Sequence, residues 1–117
     1  MAGLSVRLKG ASKLIDQLKF YQVDKKARVR VVVATFGLLI ESAAKQNAPV
    51  DTGRLRASIH LELRPDGLGG EVATNLTYAP AVELGYRNRR AQPFLFPAAE
   101  QYRYPFQQAI IAALRSR

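Results

Sequence analysis

The feature that most constrains this chain is an apolar periodicity in its first half. Eight apolar residues recur there, mostly at spacings of three and four: Val29, Val32, Val33, Phe36, Leu39, Ile40, Ala43 and Ala44. This spacing places them on one face of a helix, because an α-helix turns every 3.6 residues. We predict a helix from about Asp24, a residue type that caps helices, to about Asn47. Pro49 sets the end, because it disfavours helix at Ala48.

Two other stretches alternate between apolar and polar residues, which is typical of half-buried β-strands. Residues 4–8 form the first stretch, and Gly10 ends it. Residues 55–63 form the second stretch, and residues that favour turns follow at positions 65–70. Residues 71–75 then read as a returning strand, so we predict a β-hairpin.

Three shorter patterns complete the expected fold. Ser12 can cap a short helix, residues 80–84 predict a helical turn, and a last helix should begin near Pro97 and reach the C-terminus. Pro105 lies inside that last pattern, so we expect a kink or break there. The order predicts an α+β fold, with a small antiparallel sheet and its β-hairpin packed by the long helix and the C-terminal helix.

Length and composition indicate a single domain, residues 1–117, with an apolar fraction of 48% that is typical of globular proteins. The chain has no cysteine, so neither a disulfide nor a thiolate metal site is possible. No apolar run approaches the roughly 20 residues that span a bilayer, and no signal peptide precedes the first strand. We therefore expect a reduced, soluble, cytoplasmic product with no membrane partner.

The charge balance is strongly basic. There are 18 Lys and Arg against 9 Asp and Glu, which gives a formal net charge of +9. Such an excess suits a surface that lies near DNA or near an acidic protein partner. The basic residues are scattered along the chain, and no motif that reads a DNA groove is present. A basic DNA-binding or packaging accessory protein, acting through phosphate contacts, remains an alternative function.

The tripeptide Asp51-Thr52-Gly53 matches the signature of aspartic proteases. Viral enzymes of that class are dimers of about this length, in which two carboxylates share a proton and activate a water. Here the motif follows a polar helix end, residues 45–49, and Arg54 stands where a small residue is usual. We prefer a structural interpretation, in which Asp51 or Thr52 caps a turn and Gly53 permits a sharp bend.

No other residues form a recognisable catalytic, metal or cofactor site. His60 is the single histidine and shares a polar strand face with Ser58 and Glu62, so we expect it to be solvated. The acidic residues are dispersed, without an Asp-rich loop that would bind a hard cation. The glycines of residues 67–70 lack the Lys and Ser/Thr of a phosphate-binding loop and read as turn residues. We predict that the protein is not an enzyme and has no cofactor.

The last third of the chain combines aromatic residues with arginines. Residues 86–92 are polar and basic, and we interpret them as an exposed loop. Stacking on single-stranded nucleic acid would use this combination. Protein cores and subunit interfaces use it as well. We favour a core or interface role for the aromatic residues Tyr78, Tyr86, Phe94, Phe96, Tyr102, Tyr104 and Phe106.

Three segments in a fixed order carry a resemblance to a known family. Residues 43–59 read AAKQNAPVDTGRLRASI, residues 72–85 read VATNLTYAPAVELG, and residues 91–98 read AQPFLFPA before the closing helix. With the long helix they cover residues 36–115 and resemble the tail-completion or head–tail joining family of HK97-type tailed bacteriophages. The first 35 residues match that family less specifically.

The resemblance implies a structural virion protein at the neck, between the portal region of the head and the tail tube. It implies a homo-oligomer, commonly a six-fold ring, that completes the tail and joins it to the DNA-filled head. Its expected partners are other phage neck and tail proteins, and genomic DNA passes through the ring without sequence-specific binding. The protein would be made in the bacterial host cytoplasm and reside in the virion. These expectations rest on analogy with the family.

A ring needs a heterologous interface, in which one face of each subunit meets a different face of its neighbour. We expect the basic segment 87–90 and the apolar segment 94–96 to be exposed and to supply one contact surface. The tip of the hairpin, residues 65–70, is a second candidate for reaching a neighbour. The candidate interface residues are Arg87, Arg89, Arg90, Phe94, Leu95, Phe96, Asp66 and Gly67.

Overall fold

A computed structural model describes residues 3–8, 23–49 and 53–115. The helices are α1 (Val23–Asn47), α2 (Arg54–Ser58), α3 (Ala79–Leu84) and α4 (Leu95–Arg115), and the strands are β1 (Leu4–Leu8), β2 (His60–Leu63) and β3 (Gly70–Thr74). The predicted α+β class, with a small antiparallel sheet, a long helix and a C-terminal helix, is confirmed. The predicted short helix after Ser12, the end of the first strand at Gly10, and Asp51 and Thr52 lie outside the described residues.

The three strands form one antiparallel sheet in the order β1-β3-β2, so the strand that returns from the hairpin is central. Val6, Val72 and Leu61 are partners across the three strands and contribute to the core. The predicted hairpin is confirmed, because β2 pairs with β3 in register around the turn. The predicted first strand is confirmed as β1.

Residues 55–63 do not form one strand, and that part of the prediction is wrong. The first half is the short helix α2, and only residues 60–63 are extended. Leu55 and Ile59 are both buried, at 4% and 1% exposure. Their spacing of four suits a helical turn, so the apolar pattern fits a helix up to Ile59 and a strand after it. Ser58 also leaves the polar face of the strand, since its hydroxyl lies 2.6 Å from that of the buried Thr74.

Helix α1 packs against α4 on one side and against the sheet on the other. The ring of Phe36 meets those of Tyr102 and Phe106 edge-on, with centroids 6.2 and 5.7 Å apart. The predicted apolar face is mostly in the core, but Leu39 is 39% exposed. The helix begins at Val23, so Asp24 lies inside it, and it ends at Asn47, as Pro49 predicts.

Helix α4 begins at Leu95, two residues before the predicted start, and runs through Pro105 to Arg115. The expected break at Pro105 is therefore wrong, and the expected kink stays a prediction. Proline removes one backbone donor, which leaves the carbonyl of Gln101 without its helical partner. Pro105 and Gln101 are both exposed, so water can satisfy that carbonyl. The helix continues because Phe106 and Ile110 bury the opposite side.

Gly37 of α1 is buried against the side chains of the sheet. A Cβ atom at this position would lie 2.7 and 2.9 Å from the two methyl carbons of Leu61. It would also lie 3.2 Å from a methyl carbon of Leu8. A larger residue would therefore require these leucine side chains to move or the helix to shift.

We predict that Gly37→Val lowers the free energy of unfolding by about 1–3 kcal/mol, because it overpacks this contact. Urea unfolding followed by circular dichroism measures the change. Ala27→Val, at an exposed position of the same helix, measures the cost of valine in α1 without a packing contact. Because glycine has a lower helix propensity than valine, a Gly37→Val protein at least as stable as the wild type would show that the contact at Gly37 is not tightly packed.

Candidate subunit and partner interface

The N-terminus of α4 is capped by a side chain from α3. Glu83 is 2% exposed, and its Oε1 accepts the backbone N–H groups of Phe94 at 3.2 Å and Leu95 at 2.9 Å. Its Oε2 accepts the N–H of Phe96 at 3.3 Å. These donors have no partner within the helix, and a carboxylate at this end also complements the helix dipole. Glu83 therefore fixes α4 to α3.

The segment between α3 and α4 is tied to α3 at both ends. Gly85 donates its N–H to the carbonyl of Ala81 at 2.8 Å and has a φ of 81°, a conformation that favours glycine. Seven residues later, Gln92 donates its N–H to the carbonyl of Val82 at 2.8 Å. The intervening residues have to leave the surface and return within a short distance, so they project as a loop.

Residues 86–90, which we call the basic loop, form a tight turn. Tyr86 and Arg89 exchange backbone hydrogen bonds of 2.9 and 3.3 Å. Arg87, between them, has a φ of 53° and is the only non-glycine residue with positive φ in the described ranges. An L-residue in this conformation costs roughly 1 kcal/mol. All five residues are exposed, which confirms the predicted exposed loop for this part of residues 86–92.

The guanidinium groups of the basic loop have no neutralising carboxylate within the described part of the chain. The Arg87 guanidinium lies 5.1 Å from the centroid of the Tyr86 ring, in cation–π geometry. No carboxylate of the described residues forms an ion pair with Arg87, Arg89 or Arg90. Leu84 and Tyr86, beside them, are 68% and 57% exposed. The loop therefore presents positive charge next to apolar surface.

Two of the predicted interface residues are not exposed. Phe94 and Leu95 are 0% and 1% exposed, so the expectation that they form an external contact surface is wrong for these two. Glu83 holds their backbone N–H groups, and Asn47 donates its side-chain amide to the Phe94 carbonyl at 3.2 Å. Their side chains consequently fill the core. Phe96 is 43% exposed and remains available to a partner.

The hairpin tip is exposed at Pro65 and Asp66, buried at Leu68 and Gly69, and held by hydrogen bonds within the turn. Asp66 accepts the N–H of Leu68 at 2.9 Å and pairs with Arg64 at 2.7 Å. Arg30 of α1 donates to the Asp66 carbonyl at 2.8 Å, and Gly67 has a φ of 72°. Asp66 and Gly67 therefore shape the turn itself. A role for them in contacts with other subunits stays a prediction.

The outer face of the sheet, away from α1, carries polar residues in two rows. Cross-strand pairing places Arg7, Glu71 and Glu62 in one row, and Ser5, Ala73 and His60 in the next. No described helix packs on this face. Two shallow depressions of about 430 and 300 Å³ lie along it.

His60 lies at the border of this face, as expected for a solvated residue, with its side chain 40% exposed. Its Nδ1 is 2.8 Å from the Ser58 carbonyl, and its Nε2 is 2.8 Å from Oε1 of Glu62. Both partners are acceptors, and only the protonated ring donates from both nitrogens. These bonds, first the one to Ser58 and then the one to Glu62, raise the pKa of His60 above its ordinary 6.5.

The described residues contain neither a metal-ligand cluster nor a membrane-spanning helix. Among residues 3–8, 23–49 and 53–115, no three His, Asp or Glu side chains lie close enough together to hold a metal ion. None of the helices in these ranges is both long and apolar enough to span a bilayer. Gly53 has a φ of 71°, which fits the sharp bend expected of it.

We predict that Glu83→Ala lowers the free energy of unfolding by about 2–4 kcal/mol, because it leaves buried N–H donors without acceptors. Glu83→Gln keeps one acceptor oxygen and should cost less. Thermal and urea unfolding measure both. Glu100→Ala removes an exposed carboxylate on α4 and should change stability by less than about 0.5 kcal/mol. A Glu83→Ala protein as stable as the control would contradict the capping role.

We also predict a small pH-dependent contribution from His60. Because its pKa is raised in the folded state, protonated His60 stabilises the fold below pH about 6.5, and this contribution is lost as pH rises through the folded pKa. His60→Gln should therefore lower the free energy of unfolding at pH 5.5 by roughly 0.3 kcal/mol more than at pH 8.5. Urea titrations at both pH values test this. A larger loss at pH 8.5 would reverse the sign and refute it.

Comparison with known proteins supplies the family. Residues 12–85, more than half of the chain, match the model of the HK97-gp10-like family, described as "Bacteriophage HK97-gp10, putative tail-component". The match includes the first two segments that carried the resemblance, α1 through the end of α3. Comparison with curated proteins and with solved structures finds no significant match. The chain belongs to the HK97-gp10-like family of bacteriophage tail components.

Proposed function

We propose that this protein is a structural component of the virion that forms a ring at the neck or top of the tail. There it completes the tail and joins it to the DNA-filled head. The observation that carries the proposal is the basic loop: three exposed arginines beside exposed Leu84 and Tyr86, projected by a backbone that Glu83 and Gly85 hold in place. Such a preformed charged surface suits assembly with other proteins.

The buried N-terminus of α4 also supports a structural role. The aromatic and apolar residues of the segment 91–98 are divided between two uses. Phe94 and Leu95 lie in the core, whereas Phe96 is 43% exposed beside the capped helix end. A subunit that keeps a stable core while exposing an aromatic residue is suited to packing against neighbours. We propose a ring of six subunits, by analogy with the family, with other neck and tail proteins above and below it.

The basic loop also favours a second candidate, a DNA-binding or packaging accessory protein. Three arginines without carboxylate partners in the described part of the chain can contact phosphates, and the net charge is +9. This alternative predicts tight binding of the free protein to duplex DNA, with a steep dependence on salt. The neck function predicts weak binding before assembly. Fluorescence anisotropy with duplex DNA at two salt concentrations separates the two.

Electron microscopy of lysates made with and without a working copy of the gene tests the proposal. Loss of the protein should leave DNA-filled heads and separate tails, or tails of uncontrolled length. Either phenotype supports the neck role and identifies the step that fails. Intact particles in normal numbers would refute the proposal.

We predict that the double substitution Arg89→Glu/Arg90→Glu blocks joining of heads and tails while the monomer stays folded, because both side chains are exposed and make no ion pair in the described fold. Infectivity and particle counts by microscopy are the measurements, and circular dichroism checks the fold. Arg103→Glu/Arg115→Glu makes the same charge change on exposed positions of α4. Normal infectivity of the loop variant would rule out the loop as an assembly surface.

A further inference from the structure

We infer that the basic loop of one copy of this chain binds the outer sheet face of the next copy, with its guanidinium groups on the carboxylates of Glu62 and Glu71. The inference rests on the proposed ring and names the two surfaces that would form its repeating contact. One surface is the basic loop. The other is the row of Arg7, Glu71 and Glu62 with the depression beside it.

The receiving face holds an unfavourable pair. Glu62 and Glu71 are direct cross-strand partners on the same side of the sheet, and like charges in this arrangement destabilise a sheet. Neutralisation within the fold is incomplete. Arg7 approaches Glu71 at only 4.0 Å, and His60 is the ring that contacts Glu62. The side chain of Glu62 is 62% exposed, so it can accept a further cation.

The shape of this face suits an incoming loop. Beyond the two carboxylates, the adjacent row presents the small side chains of Ser5 and Ala73. They line the depression of about 300 Å³, together with Gly3 and His60. Small residues here let a projecting turn approach the strands, and Glu62 and Glu71 also line the depression, together with Arg7. A planar guanidinium can then form charge-assisted hydrogen bonds with either carboxylate.

The carboxylates of the sheet face and the guanidinium groups of the basic loop have opposite charges. Hydrogen bonds within the fold hold the carboxylates of Glu41, Asp66 and Glu83. Glu62 and Glu71 form a cross-strand acidic pair that His60 and Arg7 contact, and Glu100 lies on α4 beside Arg103. The arginines of the basic loop lack a carboxylate in the same described ranges. Each set complements the other in sign.

The basic loop is anchored to α3 by Gly85 and Gln92, and no described hydrogen bond or ion pair joins it to the sheet within one molecule. We therefore assign the contact to a second copy. When the loop of each copy binds the face of the next copy and the contact is not reciprocated, the interface is heterologous and repeats, as a closed ring requires. The preformed turn at Arg87 reduces the ordering that binding would otherwise demand.

Two reciprocal charge reversals test the inference in solution. The face variant is Glu62→Arg/Glu71→Arg, and the loop variant is Arg89→Glu/Arg90→Glu. Size-exclusion chromatography with light scattering should show that the wild-type chain assembles beyond two copies at about 0.1 mM. Each variant alone should self-associate at least about tenfold more weakly. An equimolar mixture should assemble again, because each reversed surface then meets its opposite on the other variant.

Matched controls separate this contact from a general charge effect. Glu100→Arg, and Arg103→Glu/Arg115→Glu, alter exposed positions of α4 and should leave assembly unchanged. Circular dichroism confirms that each variant folds, and the milder Glu62→Gln/Glu71→Gln replaces the face variant if that one unfolds. It should weaken assembly in the same direction. Raising the salt to about 0.5 M should weaken the wild-type assembly, because exposed ion pairs are screened.

Several results would overturn the inference. The inference is contradicted if the face variant assembles like wild type, or if the folded variants stay monomeric when mixed. It is also contradicted if the wild-type chain does not assemble beyond two copies.

Failure of the neck function is detected separately. If the knockout abolishes joining but the face variant complements it fully, the function stands and this interface is wrong. If the knockout gives normal particles, the function fails, while the mixing experiment still decides the contact.

Discussion

A carboxylate in a protein interior is costly unless hydrogen bonds replace its hydration, and the Glu83 carboxylate is satisfied by three consecutive backbone N–H groups at the start of α4. This single interaction joins α3 to α4 and orients the side chains of Phe94 and Leu95 towards the core. The hydrogen bonds of Gly85 and Gln92 to α3 hold the two ends of the segment that carries the basic loop. The surface proposed for assembly therefore depends on a buried polar contact. The capped helix end next to it needs no further partner.

The sheet is organised by a second close contact, between Gly37 of α1 and Leu61 of β2. On the edge of β2, Glu41 accepts the N–H of Leu61 at 2.7 Å, so a side chain of α1 covers an otherwise free strand donor. The long helix consequently occupies the inner face and part of one edge. The outer face keeps Glu62 and Glu71 together. The basic loop and the outer sheet face with Glu62 and Glu71 are thus two different surfaces of one subunit, as an assembly with a repeating contact requires.

Much of the fold was predictable because the signals are local. The apolar spacing from Val29 to Ala44 gives α1, Pro49 gives its end, and the turn residues of 65–70 give the hairpin. The exposed loop at 86–90 follows from its polar composition. The prediction was wrong at Leu55 and Ile59, where a helical spacing of four residues is followed directly by the alternation of a strand. It was also wrong in expecting a break at Pro105, where the carbonyl that loses its helical partner is exposed to water. Glu83 carried no capping signal, because it lies eleven residues before the donors that it satisfies.

The sequence by itself determined the class of fold, most element boundaries, the excess of positive charge and, through its ordered segments, the phage tail family. Apolar periodicity and turn-forming residues depend on neighbours close in the chain, so a single amino-acid sequence is enough to detect them. Tertiary structure alone decided that Phe94 and Leu95 are buried, and that the exposed Arg87, Arg89 and Arg90 have no carboxylate partner among the described residues. It alone placed Glu62 opposite Glu71. These facts depend on contacts between residues far apart in the chain, and on which side of an element faces the core.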